Sequence, residues 1–183
     1  DSDDAWLPDK LRAQANAILT NPAAKLIHTN EIWYRNGELL QQKKHHRKRG
    51  GMIFERCLPL CVISPSSAAI RRDVFDDIGL FDESLKACED YDLWLRITAR
   101  NPVLYIEKPL LRKYGGHNDQ LSRKYWGMDR FRIKSLEKII YSKELLKKAY
   151  FVIEFEINEI IMANSNKINS DALVKSLNEF VLN

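Results

Sequence analysis

The chain has 183 residues, 45% of them apolar and 30% charged, with a formal net charge of +4. That length and balance suit a globular domain with one core. They exclude a membrane span, because no apolar run reaches roughly 18 residues and the nearest, 149–162, is broken by Glu154, Glu156, Asn158 and Glu159.

The chain opens on Asp1 rather than Met, and we expect its natural start to lie upstream. Asp1, Ser2, Asp3 and Asp4 read as an acidic strand-end loop. Pro8 suits the first turn of a helix. Leu7, Leu11, Ala15, Ile18 and Leu19 then follow helical spacing until Asn21-Pro22 stops it. Leu26 to Thr29 and Glu31 to Tyr34 read as two extended segments. Asn36-Gly37 supplies the positive-φ pair of a hairpin turn, with Glu38 to Gln41 returning.

The run Lys43, Lys44, His45, His46, Arg47, Lys48, Arg49 follows. With no aromatic residue interleaved, it argues against nucleic-acid binding. It reads as a solvated loop, or as a contact to an anionic membrane or phosphorylated substrate. Cys57 and Cys61 lack a second Cys or His pair at zinc-finger spacing, and with Cys88 they read as reduced cysteines that pack as small hydrophobes.

Cys61 to Ser64 suggests a short buried strand, and the small residues Ser66 to Ala69 would let backbone approach a ligand. Asp73 is expected to cap a short helix closed by Gly79. A second helix is expected from Glu89 to Arg100, its first turn charged with Glu89, Asp90 and Asp92 as the helix dipole prefers. Val103 to Ile106 and Leu110 to Tyr114 read as two buried strands, leading to Gly115-Gly116-His117. From Met128 the pattern turns helical, with Met128, Phe131, Leu136, Ile139 and Ile140 marking one helix and two more expected beyond it. The domain expectation is therefore a mixed α/β unit over 1–127 and a helical extension over 128–183.

Three clusters carry chemistry. Carboxylates as dense as Asp1, Asp3 and Asp4 repel one another unless a cation sits between them, and a hard divalent ion is the natural partner. Acidic turns are also common without any ion. Glu89-Asp90 at a helix start presents a fixed carboxylate suited to a general base, or it simply charges the helix end. Two glycines before His117 allow a tight loop that presents the imidazole, although a lone His is usually structural.

In combination, the stretches DSDDAWLPDKL, SPSSAAIRRDVFDDIGLFDESLKACEDYDLWLRI and GGHNDQLS resemble successive signatures of inverting, metal-dependent family-2 glycosyltransferases with the GT-A fold, over residues 1 to about 135. The resemblance implies a partial GT-A (nucleotide-diphospho-sugar transferase) α/β fold, with the N-terminal nucleotide-binding half expected upstream of Asp1. It implies that Asp3 and Asp1 match the DxD motif and hold Mn²⁺ or Mg²⁺, with His117 a further ligand. Asp1, Asp3, Asp4, Ser66 and Ser67 would bind the nucleotide-sugar donor, expected to be a UDP-sugar. Asp90 would be the catalytic base with Glu89 beside it. The acceptor would be a saccharide or a lipid-linked group, in polysaccharide biosynthesis at the cytoplasmic side, with a peripheral membrane contact in view. The 183-residue piece alone is expected to be inactive. Trp94 and Trp126 are candidates for stacking on a sugar, with core packing favoured for Trp94. The competing readings are a non-catalytic scaffold that keeps a degenerate transferase fold, and a metal-dependent phosphoesterase.

Overall fold

The computed structural model describes residues 2–116, 125 and 127–142. Its centre is a five-stranded sheet in the order β1-β5-β2-β3, with β4 also pairing β2. The strands are β1 (Ala5–Trp6), β2 (Leu26–Arg35), β3 (Glu38–Leu40), β4 (Ala69–Ile70) and β5 (Val103–Gly115). The helices are α1 (Lys10–Thr20), α2 (Phe54–Cys57), α3 (Asp73–Ile78), α4 (Glu89–Thr98) and α5 (Asp129–Tyr141).

Strands β2 and β5 run parallel, and the other pairs are antiparallel. Each of the two segments expected as a pair of strands is one long strand. The interruption seen in the sequence is a register shift: Thr29 pairs with Ile106, Asn30 with Pro109 and Glu31 with Leu111. Pro109 has no N–H to give the ladder, so the mismatch is absorbed as a bulge rather than a break. The hairpin after β2 is as expected, with Asn36 and Gly37 at φ 52° and 84°.

Two local expectations are corrected. Cys61–Ser64 forms no strand; Val62, Ile63 and Ser64 are buried in irregular backbone while Cys61 stays exposed. Asp73 does not cap α3 with its side chain. It is the first helical residue, and its carboxylate pairs with Arg71 at 2.8 Å. The short α2 carries no clear sequence signal.

The core lies between the sheet and α4, which buries Tyr91, Leu93, Trp94, Leu95 and Ile97. Trp94 is 2% exposed, as core packing requires. Helix α5, at the start of the expected extension, adds Ile133, Leu136, Ile139 and Ile140 to the same cluster. Lys138 ties it down, with Nζ 2.6 Å from Asp92 and 2.7 Å from Asp82.

Helix α1 shows an inverted pattern. Its stripe Leu11, Ala15 and Leu19 faces solvent, while Lys10 and Gln14 are buried. Lys10 lies 4.2 Å over the Trp6 ring and donates to Gln14 Oε1 at 2.9 Å. Gln14 in turn donates to the Ser67 carbonyl at 3.0 Å. A polar pair is buried here because a backbone carbonyl needs a donor.

Candidate active site

The segment from Cys61 to Ser67 links the two acidic clusters. At one end, Trp6 Nε1 donates to the Ser66 carbonyl at 2.9 Å and holds the start of the chain against it. Ser67 is fully buried and its Oγ donates to the Ser64 carbonyl at 2.7 Å, which tightens the 3-10 turn Pro65–Ser67. Ser66 lines the cleft beside this turn; Ser67 shapes the turn from inside. The cleft, about 570 Å³, is walled by Ser2, Asp4, Trp6, Pro65 and Ser66.

Asp4 is fixed by β5, since the Tyr114 N–H donates to its Oδ1 at 3.2 Å. Its Oδ2 is buried and has no hydrogen-bond partner among the described residues. A carboxyl oxygen buried without a partner is costly, and a divalent cation with hard oxygen ligands would satisfy it. Asp3 sits in the exposed turn before β1. Asp1 and His117, two of the three expected metal ligands, lie outside the described residues, as does Trp126. Among the described residues no three His, Cys, Asp or Glu side chains group as a metal site. The donor chemistry fits a divalent ion at Asp4.

At the other end of the segment, Cys61 Sγ donates to Asp90 Oδ2 at 3.4 Å. Asp90 is the second residue of α4, after Glu89, and the Tyr91 N–H donates to its Oδ1 at 2.7 Å. Cys88, immediately before the helix, adopts a left-handed conformation at φ 62°, unusual for a residue with a Cβ and often found at functional sites. Asp90 is half-buried. Loss of solvent raises its pKa, with the Glu89 charge adding to the rise; the Tyr91 and Cys61 donors and the Lys113 charge oppose it. Asp92 points the other way. It is fully buried and held by Arg96 at 2.9 Å and Lys138 at 2.6 Å.

Sequence reasoning passed over Lys113 and Glu31, which join the cluster through Ser64. Lys113 Nζ donates to Ser64 Oγ at 3.1 Å, and Ser64 Oγ donates to Glu31 Oε1 at 3.0 Å. The same oxygen accepts Trp33 Nε1 at 2.6 Å and lies 3.3 Å from the buried ammonium of Lys48. Both strands carry several polar and charged residues, so nothing local singles out Glu31 and Lys113. The sequence alone presents Cys61 as a packing residue; in the fold its thiol donates to the Asp90 carboxylate.

Residues 1–152 match the model of a family described as glycosyltransferase like family 2. An uncharacterized glycosyltransferase of Rickettsia bellii is 31% identical over 130 residues, covering 67% of this chain and 18% of its own length. Another, of Rickettsia typhi, is 32% identical over 128 residues, covering 64% of this chain and 38% of its own length. The chain thus spans well under half of these relatives. Among solved structures, S. aureus TarS in complex with UDP-GlcNAc superposes with a TM-score of 0.62 at 17% identity, over 93% of this chain and 49% of that one. This likeness is one of fold. Among the described residues no helix is long and apolar enough to cross a membrane.

Proposed function

From the premise that the chain belongs to the glycosyltransferase-like family 2, we propose that the protein transfers a sugar from a nucleotide-sugar donor to an acceptor hydroxyl with inversion. The observation that carries this reading is the shared Cys61–Ser67 segment, which touches Trp6 beside the Asp4 cleft and Asp90 at the start of α4. The donor diphosphate would lie at Asp4 and Ser66, with Ser67 and the turn around it shaping the wall, and the acceptor would approach Asp90. A UDP-sugar is the donor class we favour, because the structural neighbour binds UDP-GlcNAc. The acceptor is read as a saccharide or a lipid-linked group.

Asp90 takes the proton of the acceptor hydroxyl. That oxygen forms the new bond to the anomeric carbon while the bond to the diphosphate oxygen breaks and its electron pair leaves with the nucleotide. A carboxylate with a raised pKa suits this step, since proton transfer is most efficient when the base's pKa approaches the working pH. Glu89 supports that shift through its charge. Asp3, with Asp1 and His117, is the proposed ligand set for Mn²⁺ or Mg²⁺, and the unpartnered Oδ2 of Asp4 makes it a further candidate. Such an ion supplies Lewis-acid stabilisation of the leaving group.

The test is turnover of the full-length protein across a panel of nucleotide sugars with Mn²⁺, wild type against Asp90→Asn. General-base catalysis contributes about 10² to 10⁴ in rate, so the variant should lose at least about a hundredfold with donor affinity nearly unchanged. A variant that keeps more than about a tenth of the rate with chemistry rate-limiting, less than the loss of a base costs, removes Asp90 from the role. Failure of the wild type to consume any donor or acceptor would instead favour the scaffold reading.

A further inference from the structure

The basic run is folded into a second cleft. Of about 660 Å³, it is lined by Lys43, Lys44, Arg47, Lys48 and Arg49, with Glu107 the one carboxylate on its wall. With Lys48 paired to Glu31, four cations facing one anion create a positive potential that concave walls focus. None of Lys43, Lys44, Arg47 or Arg49 forms an ion pair among the described residues, and all four are exposed. Lys48 alone is neutralised, by buried Glu31.

The loop that carries these charges is pinned along its length. Gln42 Nε2 donates to the Glu31 carbonyl at 2.7 Å. Lys48 Nζ donates to the Val62 carbonyl at 2.9 Å. His28 Nε2 meets the Arg49 carbonyl at 2.9 Å, and Gly51 bridges to Val103. Gly50 is packed so closely that a Cβ there would lie 2.8 Å from the Val103 carbonyl. The cations are therefore held together by the backbone, against their mutual repulsion. The strain of the field reaches His46, whose pKa is lowered by burial first and then by the charges of His45, Lys43 and Lys48.

We propose that this cleft is an anion site, distinct from the Asp4 cleft, that binds phosphate-ester groups of a soluble ligand. Unpaired cations on a pre-organised loop gain most from an anion that several can share, and arginine forks match phosphate oxygens. The concavity selects a discrete group that enters the cleft over a flat anionic surface. The proposal holds whether or not the protein transfers sugar.

The experiment titrates the full-length protein with tripolyphosphate by calorimetry in EDTA, so that no divalent ion supports binding at the acidic cleft. Saturable one-to-one binding that weakens with salt is expected. Arg47→Gln combined with Arg49→Gln should weaken it at least about tenfold, with circular dichroism unchanged because both side chains are exposed. A control pair, Arg72→Gln with Lys86→Gln, should change it less than twofold. Equal losses in both pairs, absence of saturable binding, or displacement by excess UDP would each overturn the proposal. Cosedimentation with phosphatidylglycerol vesicles that tripolyphosphate does not compete away would also overturn it, in favour of a membrane surface.

Discussion

Two carboxylates two residues apart on α4 should behave oppositely when neutralised. Asp92 is fully buried, with one oxygen 2.6 Å from Lys138 and the other 2.9 Å from Arg96. Asp92→Asn removes the charge from both pairs and leaves an amide N–H₂ facing a cation. Breaking a buried pair costs about 3–5 kcal/mol. The side chains of Lys138 and Arg96 are 36% and 19% exposed, so water compensates in part. Lys138 also keeps Asp82, and Arg96 keeps the carbonyls of Ile78 and Leu80. A net loss of about 2–3 kcal/mol is therefore expected, or roughly 5–10 °C in Tm for a domain of this size. Asp90→Asn should be neutral or stabilising at pH 7. Its raised pKa means that the folded state disfavours the ionised form. The resulting destabilisation is present above the folded pKa and relieved as pH falls through it. Urea denaturation of both variants at pH 7 reads the contrast directly. If Asp92→Asn stays within about 0.5 kcal/mol of wild type, the range of an ordinary surface change, or if Asp90→Asn is the more destabilised, the division into a structural and a chemical carboxylate is wrong.

Asp3 is exposed, so Asp3→Ala should leave the fold intact while abolishing Mn²⁺-dependent turnover of the full-length protein; undiminished, still Mn²⁺-dependent activity would sink its role as a ligand. His28 is buried, and loss of solvent lowers its pKa from 6.5 to about 4. The unfolded chain then binds the extra proton first, so stability should fall between pH 6.5 and 4 by up to about 3 kcal/mol. His28→Gln should flatten that slope in denaturation curves, and an unchanged slope would assign the acid sensitivity elsewhere. Leu11 and Leu19 are 62% and 79% exposed on one side of α1. The 183-residue chain should self-associate in sedimentation velocity, and Leu11→Lys with Leu19→Lys should reduce that; monodisperse wild-type chain at high concentration would refute it.

Local chemistry made several elements legible. Asn36-Gly37 turned the β2–β3 hairpin because both residues tolerate positive φ. Acidic residues at the start of α4 and Gly79 after α3 marked helix ends through dipole and conformation. The order of acidic loop, Glu-Asp helix start and Gly-Gly-His indicated the family. Each long strand reads in sequence as a pair because the bulge at Asn30 and Pro109 is a property of pairing. A strand cannot show in its own sequence how its neighbour is registered.

Single-sequence pattern by itself determined the composition class, the turn and helix ends, and the identity of the candidate carboxylates. These depend on residues within a turn or two of one another. Only tertiary structure decided that the Leu11–Leu19 stripe faces outward while Lys10 and Gln14 are buried, and that Asp90 meets a thiol whereas Asp92 meets two cations. It also decided that a basic run is the lining of a cleft. Burial and ion pairing are set by whatever the fold brings alongside. Cys61 lies 29 residues from Asp90 and Lys138 lies 46 from Asp92, beyond the reach of any local pattern; only Arg96, four residues on from Asp92, is a neighbour that helical spacing could show.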